Sequence, residues 1–191
     1  MKRICVFCGS SSGENKRYRA MAAELGRTLA ARGLGLVFGG GRVGLMGAIA
    51  DAVLAAGGEA IGVIPEDLKK KELAHTGLRD LRVVGSMHER KALMERLSDG
   101  FIAMPGGFGT LDEFCEILTW AQLGLHRKPC GILNVNGYFD AFLRFVDHSV
   151  SQGFIRKEHR GLLLEAEDPS KLLDLLAKRR PPPVKKWLNR P

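Results

Sequence analysis

Phe101-Ile102-Ala103-Met104-Pro105-Gly106-Gly107-Phe108-Gly109-Thr110-Leu111-Asp112-Glu113 decides how this chain folds. The apolar tetrad 101–104 reads as a short buried strand. From Leu111 onward, Phe114, Ile117, Leu118 and Ala121 recur at helical spacing. A strand therefore enters a helix through a turn holding three glycines. Glycine allows a ligand to approach the backbone closely, and the unpaired N–H groups that open a helix attract an anion. A phosphate cradle with Glu113 one turn into the helix is one reading. The other is a plain turn, with Thr110 and Glu113 forming a capping box that ties off the helix start.

The same alternation extends outward in both directions. Short apolar runs at Arg3–Cys8, Leu34–Phe38, Glu59–Ile64 and Leu81–Val84 precede the opening stretch, and Cys130–Val135 and Gly161–Glu165 follow it. Amphipathic segments separate most of them, at 16–31, 44–56, 87–97, 138–152 and 168–178. Pro65 is expected to break the third strand, and 66–79 reads as a loop or irregular helix. Strands alternating with helices indicate an α/β, Rossmann-like, doubly wound parallel sheet of six or seven strands with helices on both faces. In such sheets ligands bind beyond the carboxyl ends of the strands, where strand order reverses. The Gly/Ser-rich loops 9–13, 39–44, 86–88 and 105–110 each follow a strand, so all four open on that edge. Residues 1–178 form one expected domain, and 179–191 a basic, Pro-rich tail.

The 191 residues carry a formal net charge of +8, which raises the question of nucleic acid. Six of the cations (Lys178, Arg179, Arg180, Lys185, Lys186 and Arg190) lie at the C-terminal end, leaving the body close to neutral. A nucleic-acid partner is therefore not expected. No apolar run approaches the roughly 20 residues that cross a bilayer, and the N-terminus enters a strand without a signal-peptide pattern. A cytoplasmic protein without a membrane partner is expected. Cys5 and Cys8 spell C-x-x-C but fall within a strand, where their side chains point to opposite faces. All four cysteines (Cys5, Cys8, Cys115 and Cys130) are read as buried structural thiols, suited to a reducing compartment. The five histidines are scattered, so no metal is expected.

Gly39, Gly41 and Gly44 satisfy G-x-G-x-x-G but follow the second strand, and Glu59 lies at the wrong end of the third for a dinucleotide ribose. A nucleotide-lining loop fits better. Gly9-Ser10-Ser11-Ser12-Gly13 spells a nucleophile elbow, yet His159 is the best partner available, so a hydroxyl-lined nucleotide loop is preferred. In Ser86-Met87-His88-Glu89-Arg90-Lys91, Arg90 shares a helix face with Leu93, Met94 and Leu97. An inward-facing guanidinium in a first helical turn opposes the helix dipole unless an anion is near. An exposed charge cluster is the alternative. Phosphate-binding glycines, a cation and a carboxylate together suit hydrolysis at a sugar carbon, whose oxocarbenium-like transition state a carboxylate stabilises.

The Ser86–Lys91 and Pro105–Glu113 motifs together closely resemble the Lonely Guy family of cytokinin-activating phosphoribohydrolases. Cys8-Gly9-Ser10-Ser11, Gly39–Gly47 and Thr119-Trp120-Ala121-Gln122-Leu123-Gly124 are similar to it as well. The resemblance implies hydrolysis of the N-glycosidic bond of an N6-substituted adenosine 5′-monophosphate to free base and ribose 5-phosphate; hydrolysis of AMP itself is a further reading. It implies Arg90 and Glu113 as the catalytic pair, and Gly106, Gly107, Gly109 and Thr110 as the phosphate loop. Lys91 is implied as a nucleotide contact, and Ser10, Gly41 and Met87 complete the expected binding set. No cofactor is implied. The implied partners are a small-molecule purine nucleotide and a second copy in a homodimer, with Trp120 and its helix at the interface. Asp112 stands where the family usually has Glu. A non-catalytic carrier of a nucleotide or of molybdenum cofactor is the alternative for the same sheet edge.

Overall fold

Apolar runs of four to six residues are too short for helices and bury both of their faces when they pair side by side. In the computed structural model, which describes residues 1–70 and 74–179, seven such runs form one sheet. They are β1 (Arg3–Phe7), β2 (Gly35–Phe38), β3 (Ala60–Pro65), β4 (Asp80–Val84), β5 (Gly100–Ala103), β6 (Cys130–Leu133) and β7 (Leu163–Ala166). All neighbours run parallel, in the order β4-β3-β2-β1-β5-β6-β7. The α/β, doubly wound expectation holds. β3 continues through Pro65, contrary to the expected break. There Pro65 pairs only with Val84 of β4, because β2 has already ended, and a missing N–H on the unpaired side costs nothing.

Two apolar layers sandwich the sheet. On one face α1 (Lys16–Ala31), α2 (Gly44–Ala55) and α8 (Pro169–Lys178) pack Leu25, Leu29, Ile49, Val53 and Leu172 against it. On the other, α4 (Met87–Leu97), α5 (Phe108–Leu123) and α6 (Asp140–Ser151) contribute Met94, Phe114, Ile117 and Val146. Short helical turns α3 (Glu66–Lys70) and α7 (Lys157–Arg160) complete the chain order. Cys5 and Cys8 fall in opposite layers, as strand alternation requires. Cys115 corrects the expectation of four buried thiols: α5 buries Phe114, Ile117 and Ala121, and that stripe turns Cys115 outward. Trp120 is half-buried and packs on the core. The tail from 180 onward lies outside the described residues. None of the described helices is long and apolar enough to cross a membrane.

Strand order reverses between β1 and β5. The chain leaves β1 toward one layer and β5 toward the other, so the loops after them diverge and frame a crevice. Its floor is fastened by hydrogen bonds from Gly9 N–H to the Pro105 carbonyl (3.0 Å) and from Leu45 N–H to the Gly9 carbonyl (3.0 Å). Gly44 makes the second contact feasible. Its φ is +64°, and a Cβ there would overlap the Ser10 backbone. Gly44→Ala should therefore destabilise the fold by about 1–3 kcal/mol, read from the urea midpoint at unchanged m-value.

Candidate active site

α4 starts where Ser86 caps it. Ser86 Oγ accepts from Glu89 N–H at 3.1 Å, and Glu89 Oε2 accepts from Gly85 N–H at 2.9 Å. Helical period then turns Arg90 and Met94 inward. Arg90 is 8% exposed, and its guanidinium spans three elements. Nε donates to the Val63 carbonyl (3.0 Å), Nη2 to the Gly39 carbonyl (3.1 Å), and Nη1 lies 3.2 Å from Glu113 Oε1. Gly39 has no Cβ because Arg90 Nη2 occupies that space.

Glu113 reaches the pair from the second turn of α5, with its side chain 12% exposed. Burial pushes its carboxyl above the ordinary glutamate range, against the pull of Arg90 and Lys91, while Asp112 and Glu116 push the same way as burial. Burial, with the charge of Glu113 second, also raises the thiols of Cys5 and Cys8 beneath it, so both are neutral. Above the pair, α5 opens at Gly107 with no side-chain cap and no acid in its first turn. Asn15, Ser86 and Asp168 cap α1, α4 and α8 by contrast. The helix begins at Phe108, three residues earlier than a Thr110 capping box requires. Thr110 instead lies buried inside the first turn, against Gly106. Gly107 and Gly109 are exposed, and a Cβ on either would meet nothing within 4 Å. Neither glycine is required by packing among the described residues, and both face open space at an uncapped helix start.

The other expected residues divide into two groups. Ser10 is exposed on the loop after β1, and the exposed Met87 places its sulfur 3.8 Å from Arg90 Nη1. Gly41 is buried and bridges Ala74, so protein covers it. Lys91 Nζ is engaged by Asp112 (3.3 Å) and Glu116 (3.0 Å). Tyr138 had no signal in the sequence, yet its hydroxyl donates to the Gly106 carbonyl at 2.6 Å and steadies the glycine turn. Gly39 could have been found from the space a buried arginine needs. The elbow reading of residues 9–13 fails on position. His159 lies in α7, which precedes β7 and so sits toward the opposite sheet edge. A cavity of about 440 Å³ opens near the end of β6, lined by Arg17, Met21, Asn136, Gly137, Asp140 and Glu167, apart from the Arg90–Glu113 pair. Among the described residues, no cluster of His, Cys, Asp and Glu is suited to a metal ion.

A buried carboxylate held by a guanidinium, beside an open helix start, can steady positive charge developing on a bound phosphorylated sugar. A family model described as possible lysine decarboxylase matches residues 46–176. A probable cytokinin riboside 5′-monophosphate phosphoribohydrolase of Oryza sativa subsp. japonica is 54% identical over 175 residues, covering 92% of this chain and 77% of the relative. A cytokinin riboside 5′-monophosphate phosphoribohydrolase of Arabidopsis thaliana is 47% identical over 180 residues, covering 94% and 83%. Among solved structures, the molybdenum cofactor binding protein of Rippkaea orientalis has a TM-score of 0.69 at 22% identity, covering 93% of this chain and 96% of that one. The Moco carrier protein of Chlamydomonas reinhardtii has a TM-score of 0.69 at 24% identity, covering 93% and 99%. At those identities the structural likeness concerns the fold.

Arg90→Met would leave two strand-end carbonyls and a buried carboxylate without their donor. It should cost about 3–5 kcal/mol in chemical denaturation, the loss typical of a broken buried pair. Arg90→Lys should recover only part of this, because one ammonium cannot span three acceptors on three elements.

Proposed function

This chain belongs to the Lonely Guy family, and on that premise we propose that it hydrolyses the N-glycosidic bond of N6-substituted adenosine 5′-monophosphates. The observation that carries the reading is the Arg90–Glu113 ion pair of 3.2 Å, buried beside the uncapped start of α5. In this reading the 5′-phosphate rests on the amides of the Gly106–Thr110 turn, where helix dipole and free N–H groups favour an anion. Exposed Ser10 and Met87 line the mouth. The ribose then lies over Glu113. As the bond from C1′ to the base nitrogen breaks, the Glu113 carboxylate stabilises the oxocarbenium character of C1′ and orients the attacking water. Water supplies hydroxyl to C1′ and a proton to the departing base, giving ribose 5-phosphate and free base. Arg90 holds the carboxylate ionised and aimed.

A decarboxylase reading requires a lysine that can become a free amine. Lys91 is the lysine nearest the pair, and it does not suit that role. Burial pulls its ammonium down, but Glu116 and Asp112 outweigh this and raise it. We further propose a homodimer, for which Leu123 (47% exposed) and Leu125 (70%) at the end of α5 offer apolar area. A cytoplasmic setting suits four unpaired cysteines.

Product analysis with AMP and its N6-isopentenyl derivative tests the reading. Ribose 5-phosphate and free base should form, faster from the substituted nucleotide. A carrier would instead retain its ligand without forming product. Glu113→Gln should lower kcat by about 10²-fold or more with the fold intact by circular dichroism. The ionised carboxylate does the work, so the rate should fall as pH drops through the raised Glu113 pKa. The acid limb of kcat/KM should accordingly lie above the roughly 4.3 of an ordinary glutamate.

A further inference from the structure

Five charged side chains meet in the seam between α4 and α5, and the reaction as described uses only two. Arg90 and Lys91 are consecutive on α4, and Asp112, Glu113 and Glu116 lie within two turns of α5. Arg90 takes Glu113. Lys91 Nζ lies 3.3 Å from Asp112 Oδ2 and 3.0 Å from Glu116 Oε2, with its side chain only 12% exposed. Two carboxylates thus hold an ammonium that has three N–H groups to offer. Glu116 Oε2 is buried and accepts no aligned hydrogen bond, so charge alone ties it to Lys91. A carboxylate oxygen is costly to bury on those terms.

We propose that Lys91, Asp112 and Glu116 form one positioning unit, in which Lys91 acts on the Glu113 carboxylate through its charge and the two flanking acids fix where that charge sits. This assigns Lys91 a different task from a nucleotide contact, and it rests on the hydrolase reading only for its kinetic readout. The geometry favours it in two ways. A lysine clamped by two acids has lost the reach of a free phosphate ligand. The seam also carries three acids against two cations, so the Glu113 proton affinity depends on which charges are present. Among the described residues, the charged and titratable neighbours of Glu113 can be named. Arg90 and Lys91 act from α4 and Asp112 and Glu116 from α5, while Cys5 in β1 and Cys8 just after it are neutral thiols that feel the Glu113 charge.

Lys91→Met and Glu116→Gln remove opposite charges, so they should displace Glu113 in opposite directions. Lys91→Met should raise the acid limb of kcat/KM by about half a pH unit or more, and Glu116→Gln should lower it by a similar amount. One pH unit below the wild-type limb, the first variant loses severalfold in kcat/KM and the second gains. The same displacements should appear without turnover, in the ¹³C chemical shift of the Glu113 carboxyl of the unliganded protein, assigned with Glu113→Gln. Displacement in a common direction, or a raised KM with neither limb nor carboxyl shift moved, would overturn the proposal. If Lys91→Met does not fold, Glu116→Gln alone decides: a downward displacement supports the unit, and any other result removes it. Should wild type release no ribose 5-phosphate, the hydrolase reading falls by itself, and the carboxyl titration still judges the unit.

Discussion

A single guanidinium, bonded at once to the ends of two strands and to one carboxylate, is the constraint on which the rest of this molecule depends. Burying a charge is costly unless every donor finds an acceptor. Arg90 meets that condition only if Gly39, just past β2, lies level with Val63 in β3, α4 enters at Ser86, and α5 brings Glu113 alongside. The requirement reaches into the sequence at Gly39, where any side chain would occupy the position of Nη2. Arg90 thus ties the sheet to the candidate site. The bonds that make its burial tolerable also hold Glu113 in one place.

Topology supplies the opening above that pair. Because β1 sits between β2 and β5, its loop and the loop after β5 turn to opposite layers, and the crevice between them follows from chain direction alone. The contacts at its floor (Gly9 with Pro105, and Leu45 with Gly9) join three loops that are remote in sequence. Tyr138 adds a fourth segment by its bond to the Gly106 carbonyl. The glycine turn is therefore held from below and beside, while its upper side stays open.

Much of this was legible from residue order because it depends on local pattern. Strand-to-helix alternation announced the parallel sheet, and the period of Arg90, Leu93, Met94 and Leu97 already placed the guanidinium inward. Tertiary partners were not legible. Pro65 extends β3 because β2 stops short, which concerns a neighbour rather than the proline. Thr110 and Glu113 have capping-box spacing, but the helix starts three residues earlier, and that is settled by where the glycine turn must lie. Residue order shows Lys91 beside Arg90, but not that α5 places Asp112 and Glu116 on either side of it. The exposure of Cys115 is likewise not legible in residue order, because it depends on which stripe of α5 meets the sheet.

The distribution of helix caps adds a last argument. Side-chain caps are simple for a sequence to provide and contribute about 1 kcal/mol each. This chain provides them at Asn15, Ser86 and Asp168. At α2 a backbone carbonyl, that of Gly9, takes the Leu45 N–H in place of a side chain. At α5 the N-cap is Gly107, with Gly109 following, and the chain offers neither a capping side chain nor an acid in the first turn. α6 and α7 also lack a side-chain cap, but each carries an acid in its first turn, Asp140 and Glu158, whereas α5 carries none. The start of α5 lies beside the one buried acid–guanidinium pair seen among the described residues, and the two features together fit a site whose missing cap is the anion it was built to receive.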